Sequence, residues 1–149
     1  MYHIKRLNPR HVEMVINLGV QLYDFQCTEE DDFWKKKELI EWFKSEQDIC
    51  LGFFHKLKLV GYCLSHINLR INKVSIENIY VKKRYQKQGL GQKLLQTIID
   101  SYIAKYKTKS HLLRFVALTQ ETNIQSISLF KKCNFLVGKN MIWLQHDFR

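Results

Sequence analysis

The segment RYQKQGLGQKLL, Arg84 to Leu95, joins a strand to a helix through a turn that holds two glycines and no carboxylate. Val74 to Val81 reads as the strand. Leu94, Leu95, Ile98, Ile99, Tyr102 and Ile103 lay an apolar stripe along a helix that opens near Leu90. The first four N–H groups of a helix lack intrahelical partners, and the aligned peptide dipoles make that end electropositive. Asp or Glu usually sits there, yet this chain has Gln86, Lys87, Gln88, Gln92 and Lys93. Glycines at 89 and 91 let backbone approach a guest that a Cβ would push away, and the expected guest is a phosphate or pyrophosphate. Two familiar phosphate loops fail: the third glycine of GxGxxG falls on Leu94, and GxxxxGK[ST] occurs nowhere.

The strand before this turn carries a second signal. Apolar residues occupy even positions at Val74 and Ile76 but odd ones at Ile79 and Val81. A parity switch across Glu77-Asn78 is what one extra residue, a β-bulge, produces. Ladder groups near Ile79 to Val81 would then be free to bind something, with Glu77 re-aimed beside them.

Around this unit the chain alternates strands and helices in one mixed α/β layer structure. Tyr2 to Arg6 reads as a first strand, and Asn8-Pro9 as the cap and first position of a helix. Thr28 in TEED is the expected cap of a second helix running to Phe43. Asp48 to His55 and Leu59 to Leu69 form a hairpin across HKLK. A strand at Leu112 to Leu118, a helix at about Asn123 to Lys132 and a terminal hairpin from Phe135 to Gln145 complete the chain. No linker, repeat or low-complexity tract divides the 149 residues, so a single domain is expected. Cys27, Cys50, Cys63 and Cys133 fall in no CxxC pair and the histidines in no HExxH, so packed thiols and no metal are expected. Neither a targeting peptide nor a membrane-length apolar run is visible, which points to the cytoplasm and away from membranes. The net charge of +10 calls for an anionic partner without saying which.

VSIENIYVKKRYQKQGLGQKLL resembles the acetyl-CoA signature of the GNAT N-acetyltransferase superfamily, a strand ending in an apolar residue followed by Q/R-x-x-G-x-G/A opening a helix. Gln86, Gly89 and Gly91 fill those places. TNIQSISLFKKCNF resembles the later motif, an Asn followed by a helix with an aromatic and a closing G-F. Order and spacing agree from about Ile49 onward; the residues before it match only in element order. The resemblance implies an α/β (α+β) GNAT acyl-CoA N-acyltransferase fold, with a mixed sheet of about six to seven strands flanked by about four helices. It also implies acetyl-CoA as cofactor. Backbone of Ile79, Tyr80 and Val81 would pair with the pantetheine amides as an added strand does at an open edge. Gln86 and the amides of Lys87, Gln88, Gly89, Leu90, Gly91 and Gln92 would cradle the pyrophosphate, with Lys82, Lys83 and Arg84 adding positive potential. Asn123 would reach the pantetheine arm and Phe130 would lie along it.

The implied chemistry is direct attack of an amine on a thioester. Glu77 is the candidate general base, and the backbone N–H near Val81 the oxyanion donor. Loss of such a donor typically costs about 10²–10³ in rate. A carboxylate is a weak base beside an alkylamine, so Glu77 would need desolvation or a relaying water; a glutamate solvated at a bulge has no such role. The family's usual acid is a tyrosine where this chain has Phe130, and Tyr80 and Tyr85 are the substitutes at hand. Lys83 replaces a frequent proline. Asn134 replaces glycine in KCNF, a position where asparagine tolerates the left-handed turn after a helix.

Three functions remain open at this level. An N-acetyltransferase would act on a primary amine: a small polyamine-like or aminoglycoside-like molecule, or a protein N-terminus or lysine. An acyl-CoA-binding module with little turnover is the alternative that Phe130 suggests. A nucleic-acid-binding protein is the third, although no helix-turn-helix, zinc finger or RNP-like strand is present to read sequence. Glu29 to Asp32 would line a pocket for a cationic amine or merely complement a helix dipole. Trp34, Trp42 and Trp143 are expected in the core or at its rim rather than in a substrate cage. The lysines at 35–37 and 105–109 read as solvated faces. A homodimer is the candidate assembly.

Overall fold

The computed structural model describes residues 1–20, 33–139 and 144. In chain order these form β1 (Tyr2–Arg6), α1 (Val12–Gly19), α2 (Lys36–Lys44), β2 (Leu51–His55), β3 (Lys58–Asn68), β4 (Lys73–Val81), α3 (Leu90–Lys105), β5 (Arg114–Ala117) and α4 (Ile124–Lys132). The strands make one sheet in the order β1-β2-β3-β4-β5, antiparallel up to β4 and parallel between β4 and β5. Helix α3 is the crossover that a parallel pair needs.

Five strands among the described residues is fewer than the six to seven expected. The terminal hairpin makes the difference. Residues 135–139 carry no strand, and 140–143 and 145 lie outside the described residues. Leu136 and Val137 are 96% and 64% exposed, so beyond Phe135, which packs on the core, these two side chains bury no face against the sheet.

Local signals start the elements as read from the sequence, with one exception. Asn8 Oδ1 accepts from the Arg10 N–H at 3.0 Å, and the Asn8 N–H donates to His11 Nδ1 at 3.1 Å, with Pro9 opening the first turn. Lys56 takes a left-handed φ of 56° in the HKLK turn. The exception is α2, which begins at Lys36, where Glu38 accepts the Lys35 N–H at 2.7 Å. Thr28, the expected cap, lies outside the described residues.

Side chains alternate between two cores, one on each face of the sheet. On the α3–α4 face, Leu51, Phe53, Cys63, Ile67, Val74 and Ile76 pack with Leu94, Leu95, Ile98 and Phe130. On the α1–α2 face, Phe54, Tyr62 and Leu64 meet Val12, Val15, Leu39 and Phe43. Leu94, Leu95 and Ile98 are fully buried, each contributing about 1.5–3 kcal/mol, so α3 is the principal anchor of its face. Cys50, Cys63 and Cys133 are buried free thiols, as expected, and burial pushes Cys50 up to about 12. Cys27 lies outside the described residues.

One polar network crosses the apolar layer. The Tyr102 hydroxyl accepts the Ile49 N–H at 2.9 Å and lies 2.8 Å from Ser65 Oγ, which donates to the Ile49 carbonyl. Tyr102 thereby fastens α3 to the start of β2 and the middle of β3.

Gly61 on β3 faces the C-terminal end of β4, where a Cβ would meet the Tyr80 carbonyl at 2.9 Å and Val81 Cγ2 at 3.1 Å. Only glycine permits that approach.

Two outcomes follow from this packing. Tyr102→Phe strands the Ile49 N–H in an apolar layer and is expected to lower stability by about 1–3 kcal/mol. Gly61→Ala is expected to cost about 1–3 kcal/mol, because β4 backbone must move. Urea unfolding of each variant measures both.

Candidate functional site

The register between β3 and β4 locates the site. Leu64 pairs with Asn78 and Ser65 with Ile76, so Glu77 is an extra residue on β4, the bulge that the parity switch predicts. Pairing then resumes at Cys63↔Ile79, Tyr62↔Tyr80 and Gly61↔Val81. On the other side, β5 follows β4 only from Lys73↔Arg114 to Ile76↔Ala117. The β5 ladder thus ends at Ile76, just before the bulge, and among the described residues the β5-facing edge of Ile79 to Val81 has no ladder partner.

The turn at the end of β4 is curled by two left-handed residues, Lys87 at φ 60° and Gly89 at φ 75°. Gly89 is the N-cap of α3 and no side chain caps that helix, whereas Asn123 Oδ1 caps α4 by accepting the Ser126 N–H at 3.1 Å. A Cβ at Gly89 would meet nothing within 4 Å. An uncapped helix start that opens on free space is a ready anion site. A Cβ at Gly91 would make ordinary contact with Leu129 Cδ2 at 3.4 Å and Val81 Cγ2 at 3.8 Å, so the first turn of α3 lies close to α4 and β4 there.

The other expected residues divide between this loop and its supports. Lys87, Gln88 and Gly89 are exposed, Gln92 is exposed on the first turn of α3, and Leu90 is buried in the core. Gln86 Nε2 donates to the Val81 carbonyl at 2.7 Å, bracing the loop on the strand. Lys82 and Lys83 stay at the loop's start, but Arg84 is committed to Tyr85. Its guanidinium donates to the Tyr85 hydroxyl at 2.7 Å and lies 4.7 Å from the ring centre. Tyr85 is buried beside Tyr2 and His55, over the β1–β2 side of the sheet and away from the parted strands. Tyr80 is half-buried on β4 opposite Tyr62, whose fully buried hydroxyl has no hydrogen-bond partner among the described residues and is held un-ionised by burial.

Phe130 on α4 is buried, 4.9 Å from Phe135 in an edge-to-face pair. Those rings close a turn in which the Phe135 N–H donates to the Phe130 carbonyl and the Asn134 N–H to that of Lys131, both at 3.0 Å. Asn134 adopts φ 67°, so asparagine serves as the left-handed cap.

On the α1–α2 face, Glu77 opens into a cleft of about 460 Å³ that it shares with Trp34, Glu41, Trp42, Asp48 and His66. The two indoles meet edge to face at 5.5 Å. Trp42 Nε1 donates to the Ser65 carbonyl at 3.0 Å. Asp48 Oδ1 accepts the Ile67 N–H at 2.9 Å and lies 3.1 Å from His66 Nδ1. The sequence reading assigned both tryptophans to core or rim and did not single out Asp48 or His66. Tertiary folding alone gathers these residues from α2 and the segments on either side of it, β3 and β4. Gly61 was also missed, although an isolated glycine inside a strand is a signal of close backbone approach.

Among the described residues, no group of side chains suits a metal ion, and no helix is long and apolar enough to cross a membrane. Known proteins share this architecture. PaiA N-acetyltransferase of Thermoplasma acidophilum, solved in complex with coenzyme A, superposes with a TM-score of 0.75 at 19% identity, covering 95% of this chain and 93% of that one. By sequence, spermine/spermidine N(1)-acetyltransferase of Bacillus subtilis (strain 168) is 26% identical over 91 residues, 57% of each chain. Streptothricin acetyltransferase A of the same strain is 29% identical over 93 residues, 60% of this chain and 51% of that protein. The match thus spans little more than half the length of either curated relative. The family model described as Acetyltransferase (GNAT) family covers residues 19–135. With most of its length inside that model, and with the bulge, the parted strands and the glycine turn in order, the chain belongs to the GNAT acetyltransferase family.

Proposed function

We propose that this protein is an N-acetyltransferase that moves an acetyl group from acetyl-CoA to a primary amine. The observation that carries the reading is the parting of β4 from β5 at the bulge, on the strand that leads into the uncapped start of α3. The residues present fit acetyl-CoA: an unpaired strand edge suits the amides of a pantetheine arm, and open space at Gly89 suits a pyrophosphate. Bound there, acetyl-CoA supplies an activated acyl thioester.

The chain's own groups then have defined tasks. Ile79 to Val81 present main chain to the arm. Backbone N–H groups of residues 87–92 hold the phosphates, with Lys82, Lys83 and Lys87 lowering the cost of gathering negative charge. Asn123 keeps its amide nitrogen for the arm, since only its oxygen is spent on the α4 cap. The Val81 N–H stabilises the oxygen on which charge develops. Glu77 takes the ammonium proton, directly or through a water, leaving a neutral nucleophile. The spermine/spermidine and streptothricin enzymes among its relatives support an amine acceptor, and the PaiA complex supports coenzyme A.

A second reading, a coenzyme-binding module with little turnover, is favoured by one observation. Phe130 is buried where the family usually carries an acidic hydroxyl, and Tyr85 is tied to Arg84. Tyr80 is then the nearest hydroxyl to the parted strands on β4.

Calorimetric titration with coenzyme A and thiol release with an amine panel decide between them. The expected result is coenzyme binding with acceptor-dependent thiol release. Binding without release supports the module, and no binding refutes both. Glu77→Gln is expected to lower kcat by about 10²-fold or more, with coenzyme affinity kept. Gly89→Glu adds a carboxylate and a left-handed strain and is expected to abolish coenzyme binding.

A further inference from the structure

The cleft beside Glu77 differs in charge from the rest of the molecule. The chain carries 24 Lys and Arg against 14 Asp and Glu, yet among the described residues the cleft lining holds Glu41, Asp48 and Glu77 with His66 and no lysine or arginine. Two indoles form its wall, and neither is loosely held: Trp42 is pinned to the Ser65 carbonyl, and Trp34 packs on Phe33 at 5.3 Å and on Trp42 at 5.5 Å. Asp48 is only 8% exposed, and both of its contacts fall on Oδ1. Glu41 is exposed on α2 and meets Lys44 at a loose 3.5 Å.

An acceptor reacts only after one of its amines has lost its proton beside Glu77. Any further ammonium on the same molecule stays charged and must be housed nearby. Indole faces attract ammonium groups, and carboxylates offset their charge. Methylene or ring carbons between two nitrogens would cover the indoles and bury apolar area. A monoamine gains none of these contacts.

The geometry points to Trp34, Trp42, Glu41 and Asp48 as a second-ammonium subsite, which selects acceptors carrying at least one charged amine besides the reacting one. This rests on the acetyltransferase reading and deepens it: the acceptor is a polycationic amine, either a linear polyamine or a polyamino sugar. Trp34, Trp42 and Glu41 are specificity-determining residues that position the acceptor and take no part in proton transfer.

The test reads binding rather than turnover. Tryptophan fluorescence of the full chain, with and without coenzyme A, is titrated with spermidine, sisomicin and butylamine. Either polycation is expected to bind at least about 10-fold more tightly than butylamine, with affinity that falls as salt rises. Trp34→Leu is expected to weaken the polycation by roughly 3- to 30-fold and Glu41→Gln by roughly 2- to 5-fold, with butylamine unaffected by both. Glu41 is solvent-exposed, so Glu41→Gln keeps the test alive if Trp34→Leu misfolds. A tighter fit of spermidine assigns the linear class, and of sisomicin the sugar class. Equal affinity for butylamine and the polycations, or polycation affinity unchanged in both variants, overturns the subsite. Coenzyme titration of the same samples separates the two readings: failure to bind coenzyme A refutes the acetyltransferase, whereas coenzyme binding without amine discrimination refutes the subsite alone.

Discussion

A single inserted residue in β4 organises the site. Without Glu77 as a bulge, Val74 and Ile76 would share parity with Asn78 and Tyr80, and Ile79 and Val81 would leave the α3 core for the opposite face. The insertion returns Ile79 and Val81 to that core and sends the extra side chain to the α1–α2 face. A bulge also bends its strand and adds local twist. Here the β5 ladder ends at Ile76, the residue before the bulge, so one irregularity yields both a free strand edge and a carboxylate next to it. Forgone ladder bonds cost about 0.5–1.5 kcal/mol each, and the packing of Ile79 and Val81 beyond the bulge offsets them.

The same irregularity reaches the cleft through Ser65. Its residue pairing marks the register shift, its carbonyl accepts the Trp42 indole N–H and a contact from Cys50 Sγ at 3.6 Å, and its hydroxyl joins Tyr102 and Ile49. Nearby, Arg6 donates to the carbonyls of Ser45 at 3.0 Å and Asp48 at 2.8 Å, tying the end of α2 to the edge strand. The floor and one wall of the cleft are thereby built from groups whose hydrogen bonds are already fixed. Low mobility of that kind reduces the ordering cost of binding a flexible guest.

Much of this was legible because it rests on local rules. The parity switch named the bulge, Asn8-Pro9 named the first helix start, and KCNF named a left-handed cap at Asn134. The anion-seeking helix start at Gly89 followed from the absence of carboxylates in its first turn. What escaped depends on contacts between distant segments. That Gly91 lies against Leu129 and Val81, and that Gln86 braces the loop on the Val81 carbonyl, is set by the tertiary fold. Trp34 and Trp42 lie at the rim of the α1–α2 core, as expected, but one indole cannot reveal that Asp48, His66 and Glu77 will converge on it. The start of α2 was misjudged because Glu38 caps at Lys35, a residue whose own side chain carries no capping signal.

The charge pattern also shows how a strongly basic chain can accept a cation. Lys82, Lys83 and Lys87 sit on the turn beyond the C-terminal end of β4, and the carboxylates of the cleft lie on the α1–α2 face by the bulge. At physiological ionic strength the screening length is about 8 Å, so exposed lysines farther off than that act weakly on a guest in the cleft. A guest in contact with Glu41, Asp48 and Glu77 sees their charge first. The net +10 is then a property of the long-range field, suited to drawing in a polyanionic coenzyme, while Glu41, Asp48 and Glu77 are the acidic groups that line the cleft by the bulge. Under the proposed function, segregation of that kind would let one small domain hold an anion and a cation on either side of the same strand without either site neutralising the other.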